Sequence, residues 1–148
     1  MDPGIGLGNP GGTIGLCAPD SLTFSITGGG GPGTIYTITT NTGQDSVVFQ
    51  HPPPAYYTHY FDTTSCGATG ALTPNTFYVS IRAENDCGYS YARVEPITVG
   101  SMPTADFIIS PDTIACVDSI INFTNTSING IEVNNWGICD SSTNREWQ

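Results

Sequence analysis

Apolar and polar residues alternate with a period of two in short runs along this chain, and clusters of Gly, Pro, Asn and Asp separate the runs. Antiparallel strands with one buried face produce this pattern. The clearest runs are Leu22 to Thr27, with Leu22, Phe24 and Ile26 on one face, and Phe77 to Ala83, which sets Phe77, Val79, Ile81 and Ala83 inward against Tyr78, Ser80 and Arg82. Further strands are expected over Ile35 to Thr40, Ser46 to Gln50, Tyr56 to Asp62 and Tyr89 to Val99, with turns at Gly28 to Gly33, His51 to Pro54 and Asn85 to Gly88. No run has helical periodicity, and about seven strands at this spacing predict an all-β Greek-key sandwich.

An internal repeat sets the domain boundary. Cys17 is followed seven residues on by Phe24, and Cys116 seven residues on by Phe123, the two copies lying 99 residues apart. Thr13-Ile14-Gly15-Leu16-Cys17 also matches Thr113-Ile114-Ala115-Cys116 with one residue's gap. A tandem array of domains about 100 residues long accounts for this. Residues 1–100 are then one sandwich, Gly100 to Pro103 a linker, and 101–148 the N-terminal half of a second, with strands near Asp106 to Ile109, Ile120 to Thr124 and Trp136. Half a sandwich cannot close a core, so it is either truncated or completed by a partner.

Charge narrows the partners. Charged residues make up only 11% of the chain, yet the formal net charge is -10, because thirteen Asp and Glu face Arg82, Arg93 and Arg145 and there is no lysine. Such a surface repels phosphate backbones and anionic headgroups, which disfavours nucleic acid and membrane surfaces. No apolar stretch approaches eighteen residues, so no membrane insertion is expected. The start lacks the basic and apolar regions of a signal peptide, so a secreted form has its targeting segment removed or left out. The five cysteines form no CxxC or Cys/His cluster, which favours disulfides in an oxidising compartment over zinc.

The stretch from Ala105-Asp106-Phe107 through Asn122-Phe123-Thr124-Asn125-Thr126-Ser127 to Asn135-Trp136 resembles the opening of a polycystic-kidney-disease-type (PKD) immunoglobulin-like domain. In the first domain, His51-Pro52-Pro53-Pro54, His59-Tyr60-Phe61, Ser65-Cys66-Gly67 and Asn85-Asp86-Cys87-Gly88 look like PKD-type domains of gliding-motility-associated and adhesin-like surface proteins of Bacteroidetes. The Gly-Asp-Gly turn of such domains is absent from Thr39 to Asp45 and altered in Trp136-Gly137-Ile138-Cys139-Asp140. The resemblance implies an immunoglobulin-like antiparallel sandwich, export by the type IX outer-membrane secretion machinery, and surface display in long chains serving adhesion or gliding.

It also implies modification. Proteins exported by that phylum can be O-glycosylated at Asp-Ser/Thr followed by Ala, Ile, Leu, Val, Met or Thr, and Ser21, Ser46, Thr63, Thr113 and Ser119 fit. About 0.6 matches are expected by chance, although Asp-Ser and Asp-Thr are also common turn pairs leading into strands. Two N-glycosylation sequons, at Asn122 and Asn125, carry little weight. Greek-key topology puts the start of the strand at Leu22 and the loop after the strand at Tyr56 at one end, which favours Cys17 with Cys66. The alternative is Cys66 with Cys87, if the Ser65 to Asn75 loop folds back. Cys116 and Cys139 are the candidate pair of the second domain, and each bond is worth about 2 to 4 kcal/mol.

Other candidates each have a plainer reading. His51 and His59 lack a spaced Ser, Cys or carboxylate that would complete a triad or a metal shell, and read as structural. Asp20, Asp45, Asp62, Glu84, Asp86 and Glu95 are scattered over strand ends, where Asp is ordinarily turn chemistry. The glycine tract Gly28 to Gly33 is no phosphate loop, since no Lys-Ser/Thr follows it. Calcium at Asp106 with linker carbonyls is conceivable, but no spaced loop of ligands supports it, and no cofactor is otherwise expected. Tyr56, Tyr57, Tyr60, Tyr89 and Tyr91 either line an exposed aromatic face for glycan or protein contact or fill cross-strand pairs.

The expected function is a non-enzymatic, secreted cell-surface protein whose tandem sandwiches act as a glycosylated spacer or adhesin stalk. Its partners are other domains of the same long chain or neighbouring subunits, and surface glycans or proteins. Two alternatives are a filament subunit assembled by strand complementation and a carbohydrate-binding accessory module of a secreted enzyme.

Overall fold

The computed structural model describes residues 3–10, 14–111, 117–118, 120–128, 132–133 and 139–140. Two sheets face each other across one core. The first has the order β1 (Ile5–Leu7), β3 (Asp20–Gly28), β6 (Tyr56–Phe61), all antiparallel. The second has the order β2 (Ile14–Ala18), β8 (Gly88–Ser101), β7 (Phe77–Asn85), β4 (Ile35–Thr40), β5 (Val47–Gln50), antiparallel except for β2, which runs parallel to β8. The fold is all-β and sandwich-like.

The alternation read from the sequence is the alternation of burial. Phe24 and Ile26 of β3 and Phe61 of β6 point down from the first sheet. They meet Tyr36 and Ile38 of β4, Phe77, Val79, Ile81 and Ala83 of β7, and Val94, Ile97 and Val99 of β8. The Phe61 and Phe77 rings stack 5.7 Å apart and join the layers. Burying such side chains is worth about 1.5 to 3 kcal/mol each before chain entropy is subtracted. Ser80 points to the outer side of β7 yet is buried, because its hydroxyl is bonded to that of Thr39 at 2.6 Å on β4.

Two strands were not expected. In β1 the apolar residues Ile5 and Leu7 alternate with glycines, and β2 carries Gly15; glycine weakens a strand and hides it from a pattern search. The long strand β8 is also not uniform. Phe77 pairs with Ile97 but Val79 with Val94, so Glu95 and Pro96 together oppose Tyr78. A proline has no N–H for the ladder, and the extra residue of this bulge shifts the inward set from Val94 to Ile97 and Val99.

The chain threads this unit from end to end. β1 starts beside Gly28, at the end that holds the β3–β4 connection and the β7–β8 hairpin turn. β8 leaves beside Ala18, at the end where β3 begins and β6 finishes.

Beyond Ser101 the described residues form short pairs. β9 (Phe107–Ser110) and β10 (Asn122–Asn125) are antiparallel, with Asn125 opposite Phe107, and an isolated bridge joins Thr104 to Ile128. β11 (Glu132–Val133) pairs with β12 (Cys139–Asp140). The β9–β10 pairing repeats that of β1 with β3 at the 99-residue offset of the sequence repeat, within one residue of register. The burial differs, since Phe24 is 0% exposed and its counterpart Phe123 is 67% exposed. The strand expected near Trp136 lies outside the described residues.

Candidate functional site

Three of the five Asp-Ser/Thr pairs lie toward one end of the first unit. Ser21 opens β3 opposite Tyr60 of β6, Thr63 follows the end of β6, and Ser46 precedes β5. The segment leading to Ser46 is tied to β6, since Gln44 Nε2 donates to the Tyr60 carbonyl at 3.2 Å and Thr42 Oγ1 lies 3.2 Å from Nε2 of His59. Ser21, Ser46 and Thr63 are all exposed, so these three hydroxyls surround one end of β6 and are open to solvent. The Asp20 carboxylate accepts from the N–H of Ser21 at 2.7 Å, a turn bond that frees no chemistry. Thr113 and Ser119 lie outside the described residues.

The disulfide pattern differs from expectation. Cys66 is disulfide-bonded, but Cys17 and Cys87 are exposed free thiols, so neither Cys17 with Cys66 nor Cys66 with Cys87 forms. Cys17 does lie at the expected end. However, β2 carries it onto the edge of the second sheet, opposite Gly100, rather than leaving it above the loop. Cys87 sits in the β7–β8 turn, whereas Ser65 is bonded to Val99 near the far end of β8. Eleven residues of strand separate those places, about 35 Å at 3.3 Å per residue. Pairing of Cys116 with Cys139 falls outside the described side chains.

Both histidines are held by tyrosine hydroxyls. His51 Nδ1 lies 3.1 Å from the Tyr36 hydroxyl. His59 is buried, with Nδ1 3.0 Å from the Tyr57 hydroxyl, Nε2 on Thr42, and the Phe61 ring edge-on at 4.7 Å. Burial lowers the pKa of His59 below its ordinary value, opposed by the negative charge of Asp62. Burial also raises that of Tyr57, so the pair is neutral near pH 7 and serves to brace the 41–46 segment against β6.

A second polar cluster, which sequence reasoning missed, fastens the long β6–β7 connection, residues 62–76. Arg93 of β8 donates to the Gly70 carbonyl at 2.8 Å, pairs with Glu95 at 2.6 Å, and lies 3.8 Å over the Tyr78 ring. Glu95 accepts from the N–H of Leu72 at 3.0 Å. From β4's end, Asn41 donates to the carbonyls of Thr69 and Thr76 and accepts from the N–H of Tyr78. The readable signal was Arg93-x-Glu95 on one face of a strand next to a long loop. These bonds hold the 62–76 connection against β8 and the end of β4.

Glu84 is taken by Arg82 at 3.0 Å, and Asp106 Oδ1 accepts from the N–H of Phe107 at 2.9 Å. Among the described residues no three Asp, Glu, His or Cys side chains gather as a metal would need. In the glycine tract, Gly30 has φ +146°, and a Cβ there would meet the Tyr36 hydroxyl at 2.8 Å, so glycine lets the β3–β4 connection close over Tyr36. No helix in the described residues is long and apolar enough to cross a membrane.

Of the five tyrosines considered, Tyr57 points inward beside the core, while Tyr56 and Tyr60 stand out from the first sheet and Tyr89 and Tyr91 from the second. Compared with known proteins, the chain matches no family model and no curated relative.

Proposed function

We propose that the chain is part of a secreted, non-enzymatic cell-surface protein in which immunoglobulin-like sandwiches of the PKD type are strung in series as a glycosylated spacer or adhesin stalk. The observation that carries this reading is the end-to-end path of the chain. It arrives at the pole with the β7–β8 turn and leaves at the opposite pole, a path that supports an end-to-end series of units. The recurrence of the β1–β3 pairing in β9 and β10 after 99 residues supports a serial array.

The path suits a mechanical role. Pulling the ends apart slides β2 along its parallel neighbour β8, because β1 and β2 are drawn toward one pole and the end of β8 toward the other. The ladder bonds lie across the pull and must break together rather than one at a time. Strand order β1-β3-β6 against β2-β8-β7-β4-β5, with the edge strand β2 parallel to β8, is the arrangement an immunoglobulin-like sandwich would have. Exposed Ser21, Ser46 and Thr63 supply accessible hydroxyls for O-glycans on a surface with few charges.

A second reading has one observation in its favour. The β9–β10 pair leaves Phe107, Ile108, Ile109 and Phe123 exposed, which a strand or sheet from a neighbouring subunit would cover in a filament. The intact mass of the native protein from its source, measured without reduction, decides between the two. A mass many times 15.6 kDa, with hexose increments on peptides holding Ser21, Ser46 or Thr63, is expected for the stalk. A mass near 15.6 kDa would overturn it and favour the filament.

A further inference from the structure

We infer that the outward face of the sheet formed by β1, β3 and β6 is a binding platform for a neutral polysaccharide. The inference deepens the adhesive reading above, on which its biological setting rests, by assigning the adhesive surface and the chemistry of its ligand.

The face is built from the outward side chains of three strands. β6 contributes Tyr56, Thr58 and Tyr60, β3 contributes Ser21, Thr23, Ser25 and Thr27, and β1 and its continuation contribute Gly6 and Gly8. Registers set Ser25 opposite Tyr56, Thr23 opposite Thr58 and Ser21 opposite Tyr60, and the Thr23 and Thr58 hydroxyls lie 2.8 Å apart. Tyr56 is 67% and Tyr60 52% exposed. Four residues apart on one strand, they stand about 13 Å from each other with Thr58 between.

The glycines are the informative part. Neither Gly6 nor Gly8 has a positive φ. An added Cβ would meet the hydroxyls of Thr27 and Ser25, at 2.5 and 2.0 Å, and at Gly8 the Ser25 Cβ as well at 3.3 Å, so both hydroxyls would have to rotate away and Ser25 would have to shift. Conformation therefore does not demand glycine here; the close approach of the Thr27 and Ser25 side chains favours it, although glycine in a strand is otherwise unfavourable. What two alternating glycines provide is a level surface beside the hydroxyl rows.

The chemistry of that surface selects the ligand. In a chain of net charge -10, the outward positions of these strands carry no ionised side chain. A polycation, a nucleic acid or an anionic membrane gains nothing there. The rows of Ser and Thr on this face are of residue types under-represented among those that carry protein–protein binding energy. It offers hydroxyls that both donate and accept, and two amphipathic rings. An uncharged polymer of sugar rings matches both, with C–H faces stacked on Tyr56 and Tyr60 and its hydroxyls bonded to the Ser and Thr rows. Ser21 lies at the rim, so a glycan on it and a polysaccharide over Tyr60 exclude each other.

The test uses the full chain, produced without glycosylation and incubated with cellulose, chitin and starch particles and with a polygalacturonate gel as the anionic control. Retention on at least one neutral polysaccharide is expected, with at least a tenfold lower bound fraction for the Tyr56→Ala/Tyr60→Ala double variant and for Thr58→Glu. Tyr89→Ala/Tyr91→Ala, on the other sheet, should bind as the parent does. Should the double variant fail to fold by circular dichroism, Thr58→Glu decides alone. The inference is overturned by no retention on any neutral polysaccharide, by equal retention on the gel, by undiminished binding of the folded β6 variants, or by binding that depends on Tyr89 and Tyr91. Because purified protein is used, failure here leaves the surface-stalk reading intact, and failure of that reading leaves this result standing.

Discussion

Phe24 and Phe123 occupy the same place in the sequence repeat but opposite places with respect to solvent, and truncating each to alanine separates pattern from packing. Phe24 is fully buried between the sheets and touches both layers of the core. Its removal is expected to destabilise the first unit by about 3 to 5 kcal/mol, the transfer loss plus the cavity left behind. With a urea dependence of about 1.5 kcal/mol per molar, the unfolding midpoint should drop by roughly 2 to 3 M. Phe123 keeps two thirds of its surface in water and has the Phe107 ring at 5.9 Å as its aromatic partner. Phe123→Ala should therefore move the main transition by less than about 0.5 kcal/mol. Urea titrations followed by tyrosine and tryptophan fluorescence measure both. Equal shifts for the two variants would refute the reasoning, because Phe123 would then be packed as Phe24 is. If Phe24→Ala does not fold, Ile81→Val, with a loss of about 1 kcal/mol, takes its place.

Two further outcomes are expected. Because burial depresses the pKa of His59, the folded chain resists the proton that the unfolded chain accepts. This site's contribution is complete above the unfolded value near 6.5 and is lost as pH falls through the lower folded value, so urea midpoints should fall as the pH is taken below about 6.5, less steeply in His59→Gln. Arg93→Ala removes the donor to Gly70 and leaves Glu95 without its ion pair, which should cost about 1.5 to 3 kcal/mol and speed proteolysis within residues 62–76; cleavage at the parent rate would show that the loop is held by other bonds.

Much of the first unit was legible because a half-buried strand writes its two faces into the chain at every second residue. β4 matches the expected Ile35 to Thr40, and Phe24, Ile26, Val79 and Ile81 fill the core as their alternation required. The same logic failed at β1 and β2, where glycine replaces the polar half of the pattern. It also failed at Pro96, where an extra residue resets the faces partway along β8.

By itself the sequence determined an all-β chain, the inward set of most of its strands, its acidic character and the 99-residue repeat, since each depends on residues near one another or on composition. The tertiary structure alone decided which strands became neighbours. That choice took Cys17 from Cys66 to the edge beside Gly100, and set Arg93 under the 62–76 loop. It also laid the glycines of β1 next to the hydroxyls of β3 and the tyrosines of β6. These contacts join residues tens of positions apart, and no local preference encodes them: they follow from burying two apolar faces against each other while every ladder finds a partner.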